Sequence, residues 1–160
     1  MISKTRLAIG ACALSASGLV GILGYEGYSE TAYIPVPGDV PTIGFGSTEG
    51  VKLGDTITPE KAIERAYRDI EDVERCIKSA VKVPINPKMY DSLVSFVYNI
   101  GCKNFKGSTL LKKLNQNDLS GACLEMKRWV YSGEKKIKGL ETRRESEYTL
   151  CMEGVDDARR

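Results

Sequence analysis

A chain of 160 residues is long enough to bury a real core within one domain, and its 23 basic and 21 acidic residues leave a net charge of only +2. So mild a balance, without a basic stripe carrying interleaved aromatics, excludes a nucleic-acid partner. The absence of histidine removes the Ser-His-Asp triad, the Cys-His pair and the usual zinc-hydrolase sites, and five cysteines with no C-x-x-C spacing give no reason to expect a metal or any other cofactor. Carboxylate chemistry is what remains.

Lys4 and Arg6 precede an uncharged run from Leu7 to Gly24. Eighteen helical residues span roughly 27 Å, just short of a ~30 Å hydrocarbon core. Ten of the eighteen are Gly, Ala or Ser, so the run is only weakly apolar. The positive flank keeps the start of the chain cytoplasmic and sends the rest outward. The favoured reading is an uncleaved, weakly held export signal that can later leave the bilayer. A cleaved signal peptide, with Ala13 to Ser17 resembling a cleavage region, a permanent anchor and a buried helix of a cytoplasmic protein are the alternatives. The run ends beside Tyr25-Glu26, so a membrane-held segment keeps Glu26 at the lipid surface, and the tether is itself a candidate inhibitor.

Glu26 leads a tyrosine-rich stretch in which apolar neighbours favour its protonated form, fit for giving a proton to a leaving oxygen. Tyr28, Tyr33 and Ile34 predict a short strand, and Pro35, Pro37, Gly38 and Asp39 a turn. Thr42-Ile43-Gly44-Phe45-Gly46 alternates like a return strand whose glycines allow close backbone approach. Asp39, in a wetter setting, is the candidate to hold a water, and Thr42 to orient it; a hairpin turn chosen for geometry and a plain β-branched strand residue are the competing readings. Two carboxyls in such unlike settings are what glycoside hydrolysis requires.

Thr58-Pro59 predicts the start of a helix of about twenty residues, long enough to bridge two lobes, with Ile63, Ala66, Tyr67, Ile70, Val73 and Ile77 on its apolar side. Asn86-Pro87 opens a core helix through Tyr90, Leu93, Val94, Phe96 and Val97, stopped by Gly101. Ser108 or Thr109 starts a short helix, and Asp118 caps another that reaches Trp129, read as core in preference to a sugar platform. Thr142 to Glu145 reads as a capping box for a last helix ending near Met152, with a frayed tail from Asp156 to Arg160. Arg143 and Arg144 are read as structural ion-pair residues, with a grip on a substrate carboxylate as the alternative.

The Tyr-Glu-Gly opening, the Thr42–Gly46 strand, SLVSFVYNIG at 92–101, GSTLLKKL at 107–114, and Trp129 with Gly139-Leu140 and Arg143-Arg144 resemble the phage endolysins, lysozymes of glycoside hydrolase family 24. The likeness covers nearly the whole chain after residue 24. It implies a mostly helical α+β fold with two lobes, one a small β-hairpin lobe, behind an N-terminal membrane or export helix. The implied division is an export segment at 1–24 and a catalytic domain at 25–160. The implied activity is hydrolysis of the β-1,4 bond between N-acetylmuramic acid and N-acetylglucosamine of host peptidoglycan, for phage-induced lysis by a monomer. Glu26 and Thr42 fall on the family's catalytic Glu and Thr. Many members carry the catalytic Asp where this chain has Pro35, so that role passes to Asp39. The Gly-His that commonly follows the strand is Gly46-Ser47 here. Carboxyls roughly 6.5–9.5 Å apart would invert the anomeric centre, and a separation near 5 Å would retain it.

The first segment resembles the signal-arrest-release export signals of some endolysins. These pass through the host secretion machinery, wait in the inner membrane facing the periplasm, and are released when the membrane depolarises. In that oxidising compartment Cys76, Cys102, Cys123 and Cys151 can form two bridges in three pairings. Cys76–Cys102 with Cys123–Cys151, which join successive helices, is the preferred one, against four reduced core thiols. Cys12 is left over. A lytic transglycosylase and a catalytically dead, membrane-tethered wall-binding protein are the rival readings.

Overall fold

The computed structural model describes residues 6–159; Lys4 of the export signal and Arg160 of the tail lie outside the described residues. The elements run α1 (Ala16–Glu26), β1 (Ser29–Tyr33), β2 (Thr42–Gly44), α2 (Pro59–Ala80), α3 (Pro87–Ile100), α4 (Cys102–Lys106), α5 (Thr109–Asn115), α6 (Leu119–Glu125), β3 (Tyr131–Ser132), β4 (Lys135–Lys136) and α7 (Lys138–Arg159), with 3-10 turns at Ile9–Ala11 and Met126–Arg128. The fold is mostly helical, with a small hairpin lobe beside a larger helical one.

Most helix starts follow from local chemistry. Thr58 Oγ1 accepts from the Lys61 N–H, and Pro59 occupies the first turn of α2. Asn86 does the same for α3 through the Lys88 N–H at 2.8 Å, again with proline next. Ser108 caps α5 and Asp118 caps α6. Gly101, with φ +83°, takes the left-handed conformation that stops α3.

The larger core gathers Ile70 and Ile77 of α2, Tyr90, Leu93, Val94, Phe96 and Val97 of α3, Phe105 of α4, Leu110 and Leu114 of α5, and Cys151 and Val155 of α7. A separate small core of Ala32, Ile43 and Val51, with Ile57 against it, holds the hairpin lobe. β1 and β2 pair antiparallel, Ser29 opposite Gly44 and Tyr33 opposite Thr42, with an irregularity between. α2 leads from this lobe into the larger one. Both preferred disulfides are present: Cys76–Cys102 ties α2 to α4, and Cys123–Cys151 ties α6 to α7.

Two expectations change. The Leu7–Gly24 run is not one helix. Leu7 exchanges backbone hydrogen bonds with Ile85 at 2.8 and 3.0 Å, residues 9–11 make a 3-10 turn, and α1 begins only after Ser15, whose hydroxyl accepts from the Gly18 N–H. The run lies on the body, with Cys12 and Ile22 in the main core. Among the described residues no helix is long and apolar enough to cross a membrane.

Thr142 also fails as a cap. α7 starts at Lys138, so Thr142 lies inside it and its hydroxyl turns back to the Lys138 carbonyl at 3.2 Å. The helix continues past Met152 to Arg159 because its end is tied down. Lys88 reaches Asp157 at 3.0 Å and Arg159 reaches Ser120 at 3.0 Å.

Candidate active site

Glu26 is the last residue of α1, and the chain leaves the helix through Gly27 at φ +68°. Its side chain is 18% exposed and lies between α7 and the turn after β2. From α7, Arg143 donates to Glu26 Oε1 at 2.6 Å. The guanidinium is buried and itself over-determined: it donates to Glu147 Oε1 at 3.0 Å and to the Ser95 carbonyl at 3.0 Å, and lies over the Tyr25 ring at 4.9 Å. Ser95 on α3 closes the circle by donating to Glu147 Oε1 at 2.7 Å.

Beside this, Arg144 donates to the second Glu147 oxygen, to Asn99 and, at 2.9 Å, to the Trp129 carbonyl. Burial pulls the Arg144 guanidinium below its ordinary value, against the pull of Glu147. Arg143 and Arg144 are thus structural ion-pair residues, and one member of the network is Glu26. The Glu26 carboxyl sits against a guanidinium, not among apolar groups alone.

The hairpin lobe supplies the other wall. Gly46 has φ +86°, and a Cβ there would stand 2.9 Å from Glu26 Oε2. Only glycine both adopts this conformation readily and lets the turn close over the carboxyl. The turn is pinned twice. The Tyr98 hydroxyl of α3 donates to the Phe45 carbonyl at 2.8 Å, and the Ser47 hydroxyl donates to Asp69 of α2. Ser47, where the histidine was missing, is 2% exposed and packs the turn onto α2 by this hydrogen bond. Burial raises both Tyr98, with Asp69 and Glu26 adding to it, and Asp69.

Asp39 and Thr42 lie further along the hairpin. Asp39 is exposed in the loop between β1 and β2, where its Oδ1 accepts from the Val40 N–H at 2.9 Å. Thr42 opens β2, is 6% exposed, and donates to the Val40 carbonyl at 3.2 Å. The two side chains grip the two sides of one residue. Among the described residues no hydrogen bond joins either to Glu26. Around them Tyr33, Ile34, Val36 and Val40 are exposed.

Sequence reasoning missed Arg143 as the partner of Glu26, and missed Glu147, Tyr98 and Asp69 altogether. The only local signal was Arg143 and Glu147 four apart on a helix. Trp129 is half-buried and meets Phe96 edge-on at 5.8 Å, as a core residue should. A hollow of about 680 Å³ lies along the charged face of α2, lined by Arg65, Arg68, Asp69 and Arg75, without Glu26. Size alone does not mark the site.

The family model for phage lysozyme matches residues 24–147. The chain belongs to the phage lysozyme family. It is a muramidase-type glycoside hydrolase, and its substrate is peptidoglycan. Among its relatives is the SAR-endolysin of Enterobacteria phage PA-2, 40% identical over 148 residues, which cover 91% of this chain and 90% of that one. Of solved structures, the endolysin from Escherichia coli O157:H7 phage FAHEc1 superposes with a TM-score of 0.76 at 34% identity, over 89% of this chain and 95% of that one. A variant of P22 lysozyme superposes at 0.71 with 35% identity, over 87% and 97%. Glu26 thus lies between the larger helical lobe, through Arg143, and the Gly46 turn of the hairpin lobe.

Proposed function

We propose that this phage lysozyme is a signal-arrest-release endolysin whose Glu26 is the general acid and whose Asp39 and Thr42 manage the attacking water. The observation that carries the reading is the place of Glu26. It ends the helix formed by the export segment itself, and its carboxyl is held between Arg143 and the Gly46 turn. Glu26 gives its proton to the glycosidic oxygen as the C1–O bond breaks. Asp39 takes a proton from the water that adds to C1, and Thr42 helps to orient that water. The products are a free hydroxyl and a hydrated reducing end.

In this reading residues 1–24 are the export and arrest segment and 25–160 the catalytic domain. The host secretion machinery delivers the chain, the inner membrane holds residues 7–24, and release puts a monomer into the periplasm. While that segment is in the bilayer, α1 is not on the body, so Glu26 is away from Arg143 and the enzyme is silent. The SAR-endolysin relatives support this sequence of states.

The test is digestion of purified peptidoglycan by the full chain, by Glu26→Gln and by Asp39→Asn, with products read by mass. Hydrated reducing muropeptides from the parent and none from either variant are expected. An active Glu26→Gln would refute the acid assignment, and an active Asp39→Asn the base assignment. Anhydro ends would make the enzyme a transglycosylase.

A further inference from the structure

The first turn of α1 is held as firmly as its last residue. Asp91 lies on the apolar core helix α3, beside Tyr90, Leu93 and Val94, and is 8% exposed. A buried carboxylate is costly without donors, and packing of the body alone gives no reason for one here. Its donors come from the export segment: the Ser15 N–H to Oδ1 at 2.9 Å and the Ser15 hydroxyl to Oδ2. One residue earlier, the Leu14 N–H donates to Glu74 Oε1 at 3.0 Å, an oxygen that also accepts from the Tyr90 hydroxyl at 2.8 Å. The approach is close enough to demand glycine at 18, where a Cβ would stand 3.0 Å from Asp91 Cγ and 2.7 Å from Leu14 Cδ1.

We propose that Asp91, with Glu74 beside it, is a positioning residue that locks the start of α1 onto the body and thereby sets Glu26 at its far end. This rests on the reading of Glu26 as the acid. An eleven-residue helix is a rod about 16 Å long. Along its side runs an open groove of about 340 Å³ lined by Ser17, Gly18, Gly21, Tyr25, Asp91 and Glu147. Ile22 buries one face of the middle, and the register is fixed further by the polar contacts at the two ends. At one end Arg143 and the Gly46 turn accept Glu26 in one place; at the other, Asp91 fixes the register that brings it there. The lock is reciprocal, since the chain entering α1 gains acceptors for the Leu14 and Ser15 N–H groups and the carboxylates gain donors.

Cys12 provides a readout independent of catalysis. Its thiol is free and 3% exposed, on the segment just ahead of the lock, while the other four cysteines are in disulfides. The full chain, Asp91→Ala, Ser15→Ala and the double variant are to be compared by maleimide labelling under native conditions, by kcat and KM on purified peptidoglycan, and by unfolding midpoint. For Asp91→Ala, Cys12 labels at least about tenfold faster and kcat falls about 10–100-fold at nearly constant KM. The double variant is no worse than Asp91→Ala, and Asp91→Asn, whose amide oxygen still accepts from Ser15, recovers part of kcat.

The proposal is overturned if Cys12 stays protected in Asp91→Ala, if it is exposed while kcat is unchanged, or if kcat falls only with the folded fraction. Should Asp91→Ala not fold, Ser15→Ala carries the same expectations at smaller amplitude. Glu26→Gln keeps the two readings apart. If it retains activity while Cys12 stays protected, the acid assignment fails and the lock does not.

Discussion

Gly46→Ala separates backbone strain from damage to the acid's seat. At φ +86° an alanine costs about 1–2 kcal/mol in the left-handed region, which for a chain of this length lowers the melting temperature by about 3–6 °C. The new methyl also stands 2.9 Å from Glu26 Oε2, below any real Cβ contact, so the carboxyl or the turn must shift. Glu26 is fixed to Arg143 and the turn to Tyr98 and Asp69, so neither yields freely. A displacement approaching 1 Å at a reacting group lowers turnover about 100-fold. Gly50 is the control, because its φ is +66° and a Cβ there meets nothing within 4 Å. Gly50→Ala should lose comparable stability and keep its kcat. The assay is initial rate on purified peptidoglycan beside thermal unfolding of both variants. If Gly46→Ala turns over like Gly50→Ala, the contact between the turn and Glu26 does not govern the chemistry.

Replacing both cysteines of either disulfide by serine should cost about 3.5 kcal/mol in the loop-entropy picture, given sequence separations of 26 and 28. Urea midpoints with and without reductant check it; a parent indifferent to reductant contradicts it. Arg143→Met leaves Glu147 with one guanidinium and Glu26 with none, and should destabilise by about 3–5 kcal/mol besides losing activity. Unfolding of this variant within 1 kcal/mol of the parent would count against the network. Burial raises the Asp69 carboxyl above its ordinary value, so between its unfolded and folded values the native state holds more protons. Stability therefore falls as pH rises through that window. Asp69→Asn keeps an acceptor for Ser47 and should flatten the fall and stabilise above the window. Melting temperatures from about pH 4 to about pH 7 report it.

Where a structural feature was encoded by near neighbours, it was legible beforehand. Thr58-Pro59 and Asn86-Pro87 marked α2 and α3 because capping and proline act within one turn. The hairpin followed from its prolines, glycines and alternation. The favoured disulfides formed, although Cys76–Cys102 spans from α2 past α3 to α4 and only Cys123–Cys151 joins neighbouring helices. What stayed hidden depends on residues far apart: Arg143 is 117 positions from Glu26, and Asp91 is 76 from Ser15. Periodicity cannot relate such pairs. The misplaced start of α7 has the same cause, since Thr142 and Glu145 carry a local capping pattern that a longer, tethered helix overrides.

The glycines of α1 show how one stretch answers to two surroundings. Gly18 is favoured by the docked fold, because a Cβ there would crowd Asp91 Cγ at 3.0 Å. Gly21 and Gly24 are different. They lie within the same helix at ordinary dihedrals, and a Cβ at either meets nothing within 4 Å. Each costs the docked helix about 0.5–1 kcal/mol relative to alanine and returns no contact. Their smallness thus answers to something other than the packed state. A segment that must sit in a bilayer only weakly and then leave it has such a demand, since each apolar side chain omitted lowers its hold on lipid. In the docked enzyme Ile22 anchors the middle of the helix in the core, and the polar contacts at its two ends fix the place of Glu26.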